Sequence, residues 1–247
     1  MTKQSMNKMS QIEREFQAIW HRFSSELRTT GGKVEMQVPS ATVGNASVLT
    51  TVIRICPDLY PSISEVALSI QRAYPPHYFY PLTDMHFTVL NCMAFLSEPE
   101  ELKADDITRI ARRLRDVFVS FKPVAVQLRG LNVFPTTVFI QIFDPAGSIS
   151  ELRHRIRTCL AEDYWNSEME GKLLVPDPLL SFSNLLRFRE AVPTDFVDLV
   201  EKYRNKDFGM CQLKGVELVT TDKLLSRENT TVWERYDLPQ PRKSVLG

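Results

Sequence analysis

Two short segments of this chain carry side chains that can handle a phosphate group. The first is His86-Phe87-Thr88, inside the apolar run Met85–Leu90. Imidazole titrates near neutral pH and can give or take a proton, and a threonine hydroxyl can donate to a phosphate oxygen. Side chains alternate along a strand, which predicts His86, Thr88 and Leu90 on one face and Met85, Phe87 and Val89 on the other. The second segment, Leu179–Phe188, holds Ser181-Phe182-Ser183 and then Arg187, and Ser181 lies 95 residues after His86. The same alternation predicts Ser181, Ser183, Leu185 and Arg187 on a common face. Either tripeptide alone is commonplace, and a lone strand histidine is usually structural. The interest lies in two such strands at matching places along the chain.

The elements that must position them follow from periodicity. Ile12, Phe16, Ile19, Trp20, Phe23 and Leu27 recur at helical spacing and end at Gly31-Gly32. A polar linker to about Ser47 follows this amphipathic N-terminal helix, which is expected to pack on its own domain. Val48–Cys56 reads as a strand and Ser62–Ala73 as a helix, with Ser62 as its cap and Glu65 three residues on. The Pro- and Tyr-rich loop Tyr74–Leu82 leads into the His86 strand. A helix over Asp105–Phe121 and strands over Val124–Val133 and Thr137–Phe143 complete a first round. A second round is a helix over Ser148–Tyr164, the strand Leu179–Phe188, a helix over Thr194–Tyr203, and strands over Met210–Thr220 and Thr231–Leu238. The division expected is residues 1–46 as helix and linker, 47–240 as one domain with halves of about 47–135 and 136–240, and 241–247 as a tail. The fold class is α+β, with two pseudo-symmetric halves, each an antiparallel-rich sheet with helices outside, and the ligand groove between the sheets.

Bulk properties narrow the function classes. The 247 residues include 30 Lys+Arg and 30 Asp+Glu, so the formal net charge is zero. Duplex nucleic-acid binders normally carry a basic excess, so duplex DNA is not an expected partner. A small phosphorylated ligand needs only one or two local cations. Cys56, Cys92, Cys159 and Cys211 form no CxxC pair and no Cys/His cluster at zinc spacing. The expectation is four reduced thiols, no metal and no cofactor. The polar N-terminus MTKQSMNKMSQ lacks a signal-peptide core and no run reaches membrane-spanning length, so the expected setting is soluble and cytoplasmic, with no membrane partner.

With both strands in view, the chain resembles the two-histidine (2H) phosphoesterase superfamily, which includes the RNA 2′,3′-cyclic phosphodiesterases once called 2′-5′ RNA ligases. Members carry two motifs of histidine, any residue, then threonine or serine, each on a strand, the second often followed by an arginine. His86-Phe87-Thr88 matches the first. Ser181-Phe182-Ser183 with Arg187 matches the second except that serine replaces histidine. Gly130-Leu131-Asn132-Val133-Phe134-Pro135 and the following Val138–Ile142 resemble the family's glycine–phenylalanine turn and next strand, and the resemblance extends from about Val48 to Leu238.

The resemblance implies a metal-free reaction on a cyclic or bridging phosphate. One imidazole takes a proton from water, the other protonates the leaving oxygen, and hydroxyls hold the phosphoryl oxygens. It places His86, Thr88, Ser181 and Ser183 in the catalytic positions, with Arg187 and Phe134 as ligand-binding residues; the loop before the His86 strand adds His77, the candidate to substitute for the missing histidine, and Tyr80 to the ligand-binding set. His77 sits in the loop before the His86 strand, where it either overhangs the groove or is an exposed loop residue; the tyrosines there either stack a base or pack the loop. His21 and His154 lie on helices, the latter among Arg153, Arg155 and Arg157 on what reads as a solvated face. Serine cannot replace a general acid near neutral pH, and losing one such group costs about 10²–10⁴-fold in rate. Three readings follow: a degenerate 2H protein that binds a nucleotide, another small phosphorylated ligand or an RNA end; a working phosphodiesterase with a rearranged acid; and a non-catalytic scaffold that meets a protein partner through its N-terminal helix.

Overall fold

The computed structural model describes residues 3–34, 48–94, 104–164, 180–222 and 224–239. The expected linker to Ser47, the connection before Ser181 and the tail 241–247 lie outside them. The elements are helix α1 (Lys3–Thr30), strand β1 (Val48–Arg54), α2 (Tyr60–Ala73), β2 (Tyr78–Phe79), β3 (His86–Ala94), α3 (Ala104–Val119), β4 (Ala125–Phe134), β5 (Thr137–Phe143), α4 (Ser148–Tyr164), β6 (Ser181–Arg187), α5 (Thr194–Glu201), β7 (Asp207–Gln212), β8 (Gly215–Thr221) and β9 (Thr231–Asp237). They form two antiparallel sheets. The first has the order β3-β1-β8-β9 and the second β2-β6-β5-β4-β7.

Several local expectations change. α2 begins at Tyr60 with Pro61 in its first turn, where a missing N–H costs nothing. Ser62 is therefore inside the helix, and its hydroxyl donates to Leu59 O and Phe208 O rather than capping. The Tyr-rich loop contains the short strand β2, which pairs with β6. The run expected as one strand over Met210–Thr220 is two, β7 and β8, and they belong to different sheets. The two halves of the sequence are thus not the two lobes of the molecule. β8 and β9 complete the sheet begun by β1 and β3, while β4 from the first half lies in the other sheet.

β3 is the edge strand of the first sheet, and β6 lies one strand in from the edge of the second, covered there only at Leu186 and Arg187 by the two-residue β2. β3 and β6 lie against each other, so the two candidate motifs meet at the seam. Behind the seam, one core cluster joins Ile53, Phe87 and Val89 to Ile107, Leu114 and Ile156 of the helices and to Val138, Ile140 and Leu186 of the second sheet. A second cluster lies between α1 and that second sheet, with Ile12, Phe16, Phe139, Phe143 and Leu180 at its centre. α1 ends where Gly31 and Gly32 take positive φ, at 72° and 77°. A side chain at Gly32 would stand 2.9 Å from Pro135 O, so only glycine lets the chain pass there.

The cysteine expectation is corrected in part. Cys92 and Cys159 are in no disulfide, but Cys56 and Cys211 form one across 155 residues. Sequence spacing gives no hint of it, because it depends on the turn after β1 packing against β7. Among the described residues no helix is long and apolar enough to cross a membrane.

Candidate functional site

Strand β3 is paired with β1 so that His86 lies opposite Arg54 and Thr88 opposite Val52. Directly paired residues share a face. Carried through β8 and β9, this places His86, Thr88, Val52, Arg54, Glu217 and Arg235 on one face of the first sheet. A bulge at Val89 moves Leu90 off that face to pair with Thr51. Thr88 is half-buried and His86 is buried.

The His86 ring is held by its Nδ1, 2.8 Å from Asp84 O. A carbonyl only accepts, so Nδ1 carries the hydrogen and Nε2 keeps its lone pair. Burial lowers the pKa of His86 to about 4; the bond to Asp84 opposes this, while Arg54 and Arg187 add to it. At neutral pH the imidazole is uncharged, an acceptor with a cation on either side. Asp84 O also accepts from Arg54 Nη1 at 3.1 Å, and Glu217 accepts from Arg54 Nε at 2.9 Å. One carbonyl thus holds both His86 and Arg54. Sequence reasoning missed Arg54, and its only signal was its place two residues before Cys56 at the end of a predicted strand.

The second motif departs from expectation. β5 pairs with β6 as Ile142↔Ser181, Gln141↔Phe182, Ile140↔Ser183 and Phe139↔Asn184, then resumes as Val138↔Leu186 and Thr137↔Arg187. Leu185 is an extra residue in the ladder. It breaks the alternation, so Arg187 shares a face with Phe182 and Asn184, and not with Ser181 and Ser183. Arg187 Nε donates to the Tyr80 hydroxyl at 2.8 Å, and Asn184 bonds the same hydroxyl. The Tyr80 ring centroid is 6.5 Å from that of His86, with the rings near perpendicular. Burial raises the Tyr80 pKa, so the phenol stays protonated. The structure therefore brings together His86, Arg54, Tyr80, Arg187 and Asn184.

Ser181 and Ser183 face the other way. Ser183 is fully buried and its hydroxyl finds no partner among the described residues. Ser181 accepts a hydrogen bond from Arg153 Nη2 at 3.1 Å. Arg153, expected on a solvated face with His154 and Arg155, is buried. Its guanidinium lies in the seam and donates to Val89 O at 2.7 Å and Leu180 O at 3.0 Å. Val89 lies on the edge strand β3 and Leu180 just before β6, outside the two residues that β2 covers, so Arg153 staples the two sheets together. His154 and Arg155 are exposed as expected.

His77 is neither over the groove nor exposed. It is buried against Phe188 and Phe196, at 5.4 and 5.7 Å between ring centroids, and burial lowers its pKa. Phe134 stacks on Phe139 at 4.6 Å and meets Phe182 edge-on at 5.4 Å. These aromatic rings share the face of Asn184 and Arg187, and α1 lies on it: Phe16 meets Phe139 and Phe143, Phe23 meets Phe134, and Asn132 Nδ2 donates to Phe16 O at 2.8 Å. Over β4 and β5 this side of the groove is roofed by α1. Among the described residues no group of three His, Cys, Asp or Glu is placed to hold a metal ion.

The model of the 2′-5′ RNA ligase superfamily matches residues 50–180, which include His86 and Thr88 and stop one residue before β6. Among solved structures, TT0787 of Thermus thermophilus superposes with a TM-score of 0.57 at 17% identity, covering 77% of this chain and 97% of that one. E. coli LigT complexed with 3′-AMP gives 0.50 at 16% identity, covering 78% and 99%. No curated protein matches the chain in sequence. A family match over more than half the chain, on a fold of two antiparallel sheets meeting at the His86 strand, makes this protein a member of the 2′-5′ RNA ligase superfamily, the 2H phosphoesterases.

Proposed function

We propose that the protein binds a cyclic or bridging phosphate ester of a nucleotide or RNA end in the groove between β3 and β6, with little or no hydrolysis. The observation that carries this reading is that His86 stands as a neutral imidazole beside Arg187 and Tyr80, while the face of β6 that holds Arg187 offers Phe182 and Asn184 and no second proton carrier. His86 Nε2 accepts from a ligand hydroxyl or from water. Arg54 and Arg187 flank it with positive charge, and the Thr88 hydroxyl donates to a phosphoryl oxygen. This set holds an anion, and His86 can also take a proton from an attacking nucleophile. No strong proton donor faces the leaving oxygen, since phenylalanine and asparagine do not titrate and burial raises the pKa of the Tyr80 phenol, which makes it a weak acid. E. coli LigT, whose fold this chain resembles, is complexed with 3′-AMP, in keeping with a ligand of this class.

The scaffold reading is weaker, because the apolar face of α1 is already in use. Ile12, Phe16, Trp20 and Leu27 are buried against the rest of the chain.

The test is calorimetric titration with 3′-AMP and 2′,3′-cyclic AMP, with products followed by chromatography. Binding without product is expected. His86→Ala and Arg187→Ala should each weaken binding about tenfold or more, the loss expected for a hydrogen bond to a charged group. Product formation that His86→Ala abolishes would make the protein an enzyme. Absence of any binding would remove the nucleotide reading altogether.

A further inference from the structure

Beyond Arg54, on the face that carries His86, the first sheet holds a cavity of about 380 Å³ lined by Arg54, Thr83, Asp84, Glu217, Thr230, Val232 and Arg235. Its position is fixed by the ladder. Arg54 is the cross-strand partner of His86, and both donate to the same carbonyl of Asp84. A phosphate held between His86 and Arg54 therefore has this cavity as its immediate neighbour.

The lining shows what the cavity suits. Arg54 and Arg235 are both drawn to Glu217, at 2.9 and 3.1 Å. With Asp84 the formal charges balance, so a second phosphate gains nothing there. What the cavity offers is directional: as donors the Arg54 Nη2 protons, which bond nothing among the described residues; as acceptors the carboxylates and the hydroxyl oxygens of Thr83 and Thr230, whose protons go to Asp84 Oδ1 and Ser226 O; and the methyl groups of Val232 for an apolar ring face. A neutral group with both donors and acceptors, of sugar or base type, matches that inventory. The volume is near the lower end of the ~300–1,000 Å³ usual for small-molecule sites, which suits one nucleoside and not a chain of them.

We propose that this cavity is the nucleoside subsite of the phosphate-binding groove, so that the ligand is a mononucleotide-sized ester whose sugar and base lie over β8 and β9. The proposal rests on the function proposed above and adds the place and the size of the ligand.

The experiment compares two probes, inorganic phosphate and 3′-AMP, titrated calorimetrically into the full chain. The natural protein is expected to bind 3′-AMP at least about tenfold more tightly than phosphate, the ratio that ~1.4 kcal/mol of extra contact gives. Val232→Trp fills the cavity from a position that is 36% exposed and so tolerates bulk. It is expected to bring 3′-AMP down to the affinity of phosphate while leaving phosphate within about twofold of its natural affinity. Thr83→Phe, an exposed position at the opposite rim, gives the same selective loss and serves if the tryptophan variant does not fold. An undiminished 3′-AMP advantage in both variants, or equal loss of both probes, overturns the subsite while the phosphate reading stands. If neither probe binds the natural protein, both fall.

Discussion

Leu185, one residue too many for its ladder, decides which side chains His86 meets. Strict alternation put Ser181 and Ser183 with Arg187, and it failed at the bulge, where two consecutive residues of β6 answer to one step of β5. A bulge leaves no mark in an apolar pair such as Leu185-Leu186, so that part of the site was not legible. His86 and Thr88 were legible, because they precede the bulge in their own strand. The corrected faces make two predictions. Phe182→His is expected to raise cleavage of 2′,3′-cyclic AMP by about 10²-fold or more, the usual contribution of a positioned general acid, whereas Ser181→His brings no gain and collides with Arg153. Equal behaviour of the two in a chromatographic assay would refute the face assignment. Ser183→Ala removes a buried hydroxyl without a partner, so urea titration should find it neutral or more stable by up to about 1 kcal/mol, with phosphate binding unchanged; weakened phosphate binding would return Ser183 to the site.

Among the elements, helices were easier to read than sheets. The spacing of Ile12, Phe16, Trp20 and Leu27 dictates α1 and its buried stripe, and Gly31-Gly32 dictates its end. The joint between β7 and β8 at Leu213-Lys214 carries no proline or glycine of its own, so a change of sheet passed for one strand. The Arg153 staple was hidden because an arginine flanked by His154 and Arg155 looks solvated, and only the open edge of β3 and the start of β6, which β2 does not cover, supply a reason to bury it. Both elements can be weighed. Phe16→Ala should cost about 3–5 kcal/mol in denaturant unfolding, the range for a fully buried phenylalanine, while leaving β3 untouched. Arg153→Met leaves Val89 O and Leu180 O without donors behind the seam, and at about 1–3 kcal/mol for each stranded group it should cost roughly 2–6 kcal/mol. A loss below about 1 kcal/mol would mean that water replaces the guanidinium.

Over the whole molecule, two buried histidines set the response to acid. Burial lowers the pKa of both His86 and His77, so the unfolded chain binds protons that the native state refuses, and stability is lost as pH falls from about 6.5 to about 4. For His86 the full shift corresponds to about 3 kcal/mol at 1.36 kcal/mol per unit. Unfolding midpoints measured at pH 7, 6 and 5 should fall steadily, and His86→Gln should remove much of the slope; a flat profile in the natural protein would contradict the buried, neutral state. The α+β class and the meeting of the two motif strands were visible in the order of elements, but the crossing of the chain between the sheets was not. That crossing has a kinetic consequence. β1 is hydrogen-bonded on one side to β3 and on the other to β8, which belongs to the C-terminal end of the chain. During synthesis β1 leaves the ribosome long before β8 exists, and its second edge stays open to any other strand. Pairing over such a sequence distance is slow, and an open edge is a template for association between chains. The first sheet, and with it the wall of the groove that holds Glu217 and Arg235, can close only after translation has passed residue 221, and chains ending earlier would be expected to aggregate through β1.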